Sequence, residues 1–156
     1  ELLRMQFEAH YNGVLTNKIS ETMENGKEML DMLNVQVKLW IHSCEAEADK
    51  YTKDMNEDYE HFFCWYSEDM FKVKQRLKIY RYLRNLICTG GLDEVMEYMR
   101  HTIEHFTDDL ILGSLQKHST NISFNTAHLL ELEVKQMVIK EFKGMMFRIK
   151  DGGARK

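Results

Sequence analysis

Residues 27–89 read KEMLDMLNVQVKLWIHSCEAEADKYTKDMNEDYEHFFCWYSEDMFKVKQRLKIYRYLRNLICT and contain neither glycine nor proline. Apolar residues recur along this stretch in steps of three and four that average about 3.6, the period of a straight α-helix. They are Leu30, Leu33, Val37, Trp40, Cys44, Ala48, Tyr51, Met55, Tyr59, Phe62, Tyr66, Met70, Val73, Leu77, Tyr80, Leu83 and Ile87. The pattern predicts one unusually long helix over about residues 27–88, roughly 90 Å in length. Such a helix needs other helices, or a second chain, to cover its apolar stripe.

The long helix has one weak point, at residues 52–58. Asp54, Asn56 and Asp58 cluster there, and these residue types favour caps and turns over helix interiors. A break at this point would produce two antiparallel helices in place of one. The phase of the apolar stripe favours the continuous helix, because the stripe keeps step across the weak point.

The remaining segments also predict helices. Residues 2–25 carry an imperfect apolar stripe, and Asn25-Gly26 is either a turn or a tolerated interruption. The pair Gly90-Gly91 marks the clearest turn, because glycine permits the left-handed backbone that ends a helix. Two further helices are expected, one running to about Gln116 and one starting near Ser123 or Asn125.

Together these elements predict an all-α fold. We expect an antiparallel bundle of three to five helices with coiled-coil-like packing, in which at least one helix is unusually long. The absence of proline among 156 residues agrees with this fold class. Residues 1–151 are predicted to form a single domain, and residues 152–156 a frayed C-terminal tail.

Charge and cysteine content narrow the functional classes. The net charge of −4 gives no polycationic signature, which argues against nucleic acid as a partner. The three cysteines, Cys44, Cys64 and Cys88, are odd in number and lie far apart on the predicted helix. This usage is typical of a reducing compartment, so a cytoplasmic location is expected. No window is apolar enough to span a bilayer.

The densest aromatic patch of the sequence is the candidate partner-binding surface. The patch covers more than one face of the predicted helix and, besides Phe62, contains the five predicted partner-binding residues Tyr59, Phe63, Trp65, Tyr66 and Phe71. One interpretation is a helix buried on two sides in the centre of a bundle. The other is an exposed groove or dimer interface that anchors a partner helix, since exposed aromatic residues mark interaction surfaces.

A run of six bases without an acid follows the aromatic patch. We refer to it as the basic strip: Lys72, Lys74, Arg76, Lys78, Arg81 and Arg84. Solvated helix faces of opposite charge, packing near one another, would account for it. Alternatively, the basic strip docks on an acidic partner or on an anionic membrane surface.

The sequence offers little support for catalysis or for a metal. His101 and His105 belong to an H-x-x-E-H motif, but the helical phase places both on the polar face, whereas a catalytic site needs a third ligand and a water-excluding pocket. The Glu-x-x-His motif of di-iron bundles does not occur. No nucleophile elbow and no phosphate-binding glycine loop is found. We therefore predict no enzyme activity, no cofactor and no metal ligand.

The favoured function is a non-catalytic scaffold or adaptor module. It is expected to bind a helix of another protein, or its own copy, through the aromatic and Met-rich surface. The alternative is a BAR-like membrane-associating helical dimer that presents the basic strip to anionic lipid, an analogy of shape alone. A metal-binding helical bundle comes third.

Overall fold

The computed structural model describes the backbone of residues 2–113 and 118–154, and the side chains of residues 17–18, 20–113 and 118–151. Within this part of the chain there are five helices and no strand. They are α1 (Leu2–Glu57), α2 (Tyr59–Trp65), α3 (Ser67–Thr89), α4 (Leu92–Gly113) and α5 (Ile122–Ala154). The predicted all-α bundle of three to five helices is confirmed. The longest helix is α1, with 56 residues, and it passes through Gly26 without a break.

The prediction of a continuous helix over residues 27–88 is wrong, because the chain leaves helical geometry at Asp58. The backbone of Asp58 is extended, with φ −147° and ψ 90°, and its side chain accepts a hydrogen bond from the backbone N–H of His61 at 3.0 Å. This is the N-cap arrangement that short polar side chains favour. The apolar stripe keeps step across the break because Met55 and Phe62 reach the same core from two different helices.

A second break at Tyr66 ends α2 and completes the reversal of the chain. Tyr66 has φ −125° and ψ −7°, and its ring stacks on that of Tyr51 with the centroids 5.3 Å apart. Farther along, Arg81 of α3 pairs with Glu45 of α1 at 2.9 Å. Because residue numbers fall along α1 as they rise along α3, the two helices run antiparallel.

The turn between α3 and α4 depends on its glycine for a different reason from the one predicted. None of the described glycines has a positive φ, and Gly90 is extended, with φ −112° and ψ −179°. A Cβ at Gly90 would overlap the Glu94 carboxylate and lie 3.0 Å from the carbonyl oxygen of Leu86. Glycine is therefore favoured by the close approach of the Leu86 carbonyl and not by a left-handed backbone.

The second hairpin joins α4 and α5. Asp109 pairs with Lys135 at 2.8 Å, and the Tyr98 and Phe142 rings lie 6.5 Å apart, so these helices are antiparallel. Asn121 caps α5 by accepting a hydrogen bond from the backbone N–H of Phe124 at 3.1 Å. The predicted end of the preceding helix near Gln116 lies outside the described residues.

The C-terminal helix is longer than predicted. Its backbone stays helical through Gly152 and Gly153 to Ala154, past the predicted end of the helix at residues 151–153, while the frayed tail stays a prediction. Glycine is disfavoured in a helix by about 1 kcal/mol but does not forbid it. Residues 155–156 of the predicted tail lie outside the described residues.

Contacts between α3 and α5 fix the arrangement of the two hairpins. Lys72 pairs with Glu133 at 3.3 Å, and Arg76 with Glu141 at 3.1 Å, so residue numbers rise together and the helices are parallel. The long helices α1, α3, α4 and α5 therefore alternate in direction along the chain. The turn from α1 through α2 to α3 and the connection from α4 to α5 consequently share one end of the bundle, the turn end.

One buried core cluster contains residues from all five helices. Its members are Leu33, Val37, Ile41, Cys44, Ala48, Tyr51, Phe62, Val73, Leu77, Tyr80, Leu83, Ile87, Val95, Met99, Val134, Val138, Phe142, Met145 and Ile149. The cluster begins at Leu33 on α1, whereas nearly every described side chain over residues 17–28 is exposed. Among the described residues, no helix combines the length and the apolar character that crossing a bilayer requires.

Candidate functional site

The turn end of the bundle exposes an unusual amount of aromatic surface. Three of the five predicted partner-binding residues are exposed: Tyr59, Phe63 (62%) and Trp65 (71%). Tyr66 and Phe71 are half-buried. The helix α2 lies at the edge of the bundle, where Phe62 is its buried residue, and the aromatic residues on its other faces are therefore exposed.

Two of these residues line an apolar cleft between the start of α3 and the start of α5. Phe63 and Phe71 form one side, and the other side includes Ile122, Ala127 and Leu130. The cleft encloses about 370 Å³, and its polar lining is limited to Ser67, Glu68, Ser123 and Thr126. We call it the end cleft. Ile122 is its most exposed apolar residue, at 80%.

The other predicted aromatic residues are placed elsewhere. Tyr66 packs inside the hairpin, where its ring stacks on Tyr51 and meets the His61 ring edge-on at 5.5 Å. Trp65 borders a shallow polar concavity with Asp58, His61 and other α2 residues. Tyr59 reaches the end cleft only indirectly, by stacking on Phe63 with the centroids 6.3 Å apart. The structure therefore divides the predicted aromatic patch between different surfaces.

Sequence reasoning missed Ile122 as a site residue. It lies 51 residues from Phe71 along the chain, and it is the first residue of α5, outside the apolar stripe of that helix. One sequence signal could have indicated Ile122. It is a large apolar residue that directly follows the Asn121 cap and does not belong to the apolar stripe. Its place beside Phe63 depends on how the two hairpins pack, which no local pattern shows.

The basic strip does not form one continuous surface. Lys72 bridges Asp69 and Glu133 at 3.2 and 3.3 Å, and Arg81 pairs with Glu45. Arg76 is the most buried of the six. Three cations of the basic strip, Lys72, Arg76 and Arg81, thus form ion pairs, and most of these ion pairs join two helices. Lys74, Lys78 and Arg84 are exposed.

Arg76 belongs to a half-buried polar network in the centre of the bundle. Its guanidinium donates to Glu141 at 3.1 Å and to the Tyr80 hydroxyl at 3.2 Å, and that hydroxyl donates to Glu141. Burial and the hydrogen bond to Glu141 raise the pKa of the Tyr80 phenol far above its usual value. Burial also raises the pKa of the Cys44 thiol, against the opposing effect of Arg76. The network of Arg76, Tyr80 and Glu141 therefore serves to join α3 to α5.

A second cleft opens between α1 and α5, on the flank of this network. Gln36 and Trp40 of α1 face Met137, Lys140, Glu141, Gly144, Met145 and Arg148 of α5, and the space encloses about 500 Å³. We call it the flank cleft. A Cβ on Gly144 would meet no heavy atom within 4 Å. An interior helix glycine costs about 1 kcal/mol relative to alanine, and no neighbour in the described structure requires it here.

The histidine motif of α4 lies on the surface, as its helical phase predicts. His101 is within 2.8 Å of Glu97, and His105 is within 3.6 Å of Asp109, one helical turn away in each case. Among the described residues, no group of three or more His, Cys, Asp or Glu side chains is arranged to hold a metal ion.

Comparisons with known proteins find no relative of this chain. No protein-family model, no curated protein and no solved structure matches it.

Proposed function

We propose that this chain is a non-catalytic protein-interaction module whose end cleft binds an apolar helix of a partner protein. The observation that supports the proposal is the exposure of Phe63 and Ile122, at 62% and 80%, on opposite sides of one apolar cleft. Large apolar side chains that are exposed side by side, around a concave surface, are typical of interaction sites.

The shape of the end cleft favours a helix as the occupant. One side is formed by the end of α2 and the start of α3, and the other by the start of α5, so the end cleft is a gap between helices. An amphipathic helix can place residues three or four apart into such a groove. Glu68 and the hydroxyls of Ser67, Ser123 and Thr126 lie at the cleft and can bond to polar groups of that helix.

Membrane association has weaker support. In a BAR-like dimer the basic strip would face lipid, whereas Lys72, Arg76 and Arg81 are engaged with carboxylates of the bundle itself. The cytoplasmic location stays a prediction from cysteine usage.

The test is a selection of helical peptides from a displayed library against the whole chain. Library members carry large apolar residues at positions i, i+3, i+4 and i+7, with random polar residues elsewhere. We expect binders whose affinity falls about tenfold or more in Phe63→Ser and in Ile122→Ser, because each change removes one wall of the end cleft.

Two matched controls separate the end cleft from general hydrophobicity. Trp65→Ser and Leu129→Ser remove exposed apolar residues that do not line the end cleft, and both should leave affinity within about twofold. Sedimentation velocity over a concentration series of the free chain tests the other occupant. If the free chain forms a dimer that Phe63→Ser dissociates, the occupant of the end cleft is a second copy of the chain. If all four variants lower the affinity equally, the end cleft is not the binding site.

A further inference from the structure

The flank cleft differs in chemistry from the end cleft. Trp40 and Met137 give it an apolar surface, whereas Lys140 and Arg148 line the α5 side. The two cations are both exposed, and neither is within 4.0 Å of a carboxylate among the described residues. The flank cleft therefore joins an aromatic floor to a positively charged rim.

Among the described residues that line the flank cleft, Glu141 is the only carboxylate, and it does not cancel this charge. Glu141 accepts hydrogen bonds from both Arg76 and Tyr80 inside the bundle. Since its charge is already balanced by Arg76, the local field at the rim is that of Lys140 and Arg148. A partner that lies on this surface should carry acidic groups.

Gly144 lies between these cations on the same helical line, four residues from each. The space above it is open, so the fold itself does not need a glycine there. A glycine on a helix surface lets another backbone approach closely, because no Cβ holds it away. The helical cost of this glycine is explained if a second helix passes over it.

We propose that the flank cleft is a second binding site, which takes an acidic amphipathic helix of a partner protein. Its apolar face packs on Trp40 and Met137, its backbone passes over Gly144, and its carboxylates meet Lys140 and Arg148. This site is independent of the end cleft and of the function proposed for it.

The spacing of the two cations defines the acidic pattern of the partner. Lys140 and Arg148 are eight residues apart, which is about 12 Å along α5. A helix that lies along α5 meets both with carboxylates seven or eight residues apart. A single carboxylate cannot reach both cations.

The test uses a displayed library of helices with a fixed apolar face and flanking positions randomised among Glu, Lys, Gln and Ser. The target is the Trp65→Phe variant, in which Trp40 is the only tryptophan. We expect selected helices to be enriched in Glu at i and i+7 or i+8. Their binding should shift the emission of Trp40 and should weaken as salt is raised.

Charge-reversal variants test whether Lys140 and Arg148 contact the acidic helix. Lys140→Glu and Arg148→Glu should each weaken the selected helices about tenfold, whereas Lys143→Glu, an exposed lysine on the α4 side of α5, should change affinity less than about twofold. Gly144→Leu should abolish binding without lowering the melting temperature, which separates lost access from lost folding.

Four outcomes would overturn the proposal. They are the absence of binders, the selection of helices without acidic enrichment, equal effects of Lys140→Glu and Lys143→Glu, and retained binding in Gly144→Leu. Decanoate that shifts Trp40 emission when no helix binds would assign the flank cleft to a small anionic amphiphile instead. A dimer of the free chain that Arg148→Glu dissociates would assign it to a second copy.

Discussion

At the centre of the bundle, Tyr80 and Phe142 are fully buried, and the charges beside them are paired within the chain. At the turn end, Phe63 and Ile122 are more than half exposed, and nothing in the described structure covers them. Both regions combine aromatic and apolar residues, from α3 and α5 in the centre and from α2 and α5 at the turn end. In the centre, these residues hold the hairpins together, whereas at the end they are left available. The difference shows that composition alone does not distinguish a packing surface from a binding surface.

The sharpest test of this contrast compares two phenylalanines. Phe142→Ala should lower the free energy of unfolding by about 3–5 kcal/mol, because it leaves a cavity in a fully buried site. Phe63→Ala should change it by less than about 0.5 kcal/mol, since the side chain is largely exposed. Urea denaturation of both variants measures the two free energies of unfolding. A similar cost for the two would mean that the end cleft is part of the core.

A second test compares two ion pairs. Glu141→Ala should cost about 2–4 kcal/mol, because the half-buried Arg76 and the fully buried Tyr80 then lose their partner. Glu45→Ala breaks the exposed pair with Arg81 and should cost less than about 1 kcal/mol. The midpoints of urea denaturation of the two variants report the two losses of stability. Equal costs would show that the central network adds no more than a surface contact.

The third test concerns the cap that sets α2, and with it Phe63, in place. Asp58→Ala removes the acceptor for the His61 N–H and should cost about 1 kcal/mol. Asp58→Asn keeps an acceptor oxygen, so its free energy of unfolding should stay within a few tenths of a kcal/mol of that of the unsubstituted protein. Thermal unfolding of the two variants decides the point. If alanine and asparagine behave alike, the break at Asp58 does not depend on its side chain.

The smallest effect expected is a gain in stability. Gly144→Ala should raise the free energy of unfolding by about 0.5–1 kcal/mol, because alanine lowers the entropy of the unfolded chain and meets no neighbour. Gly90→Ala should act in the opposite direction, since its Cβ would crowd Leu86 and Glu94. Calorimetry should show opposite shifts in melting temperature. A loss of stability in Gly144→Ala would mean that the glycine serves the fold itself.

The sequence predicted the core far better than the surface. Of the apolar stripe, residues such as Leu33, Val37, Leu77 and Leu83 are buried, because a helical period depends on neighbours three and four positions away. The same periodicity favours a continuous helix at Asp58, where the chain in fact reverses. Phase is preserved when a helix folds back onto the same core, so continuity of the stripe does not establish continuity of the helix.

The surfaces depend on contacts that are distant along the chain. Arg76 looked like one member of a docking strip, but its partner Glu141 is 65 residues away. Ile122 joins Phe63 only because the hairpins pack side by side. Neither relation leaves a periodic trace in the sequence, so neither could be predicted from spacing.

The division of the bundle into two hairpins has a kinetic consequence. The only covalent link between them, the short turn at Gly90, lies at the end opposite the turn end. Ion pairs within the two hairpins close loops of 36 and 26 residues, whereas the pairs that join α3 to α5 close loops of more than 60 residues. Short loops close at a lower entropic cost. We therefore expect the hairpins to form first and to dock last, and native-state hydrogen exchange to detect an opened state in which each hairpin stays helical.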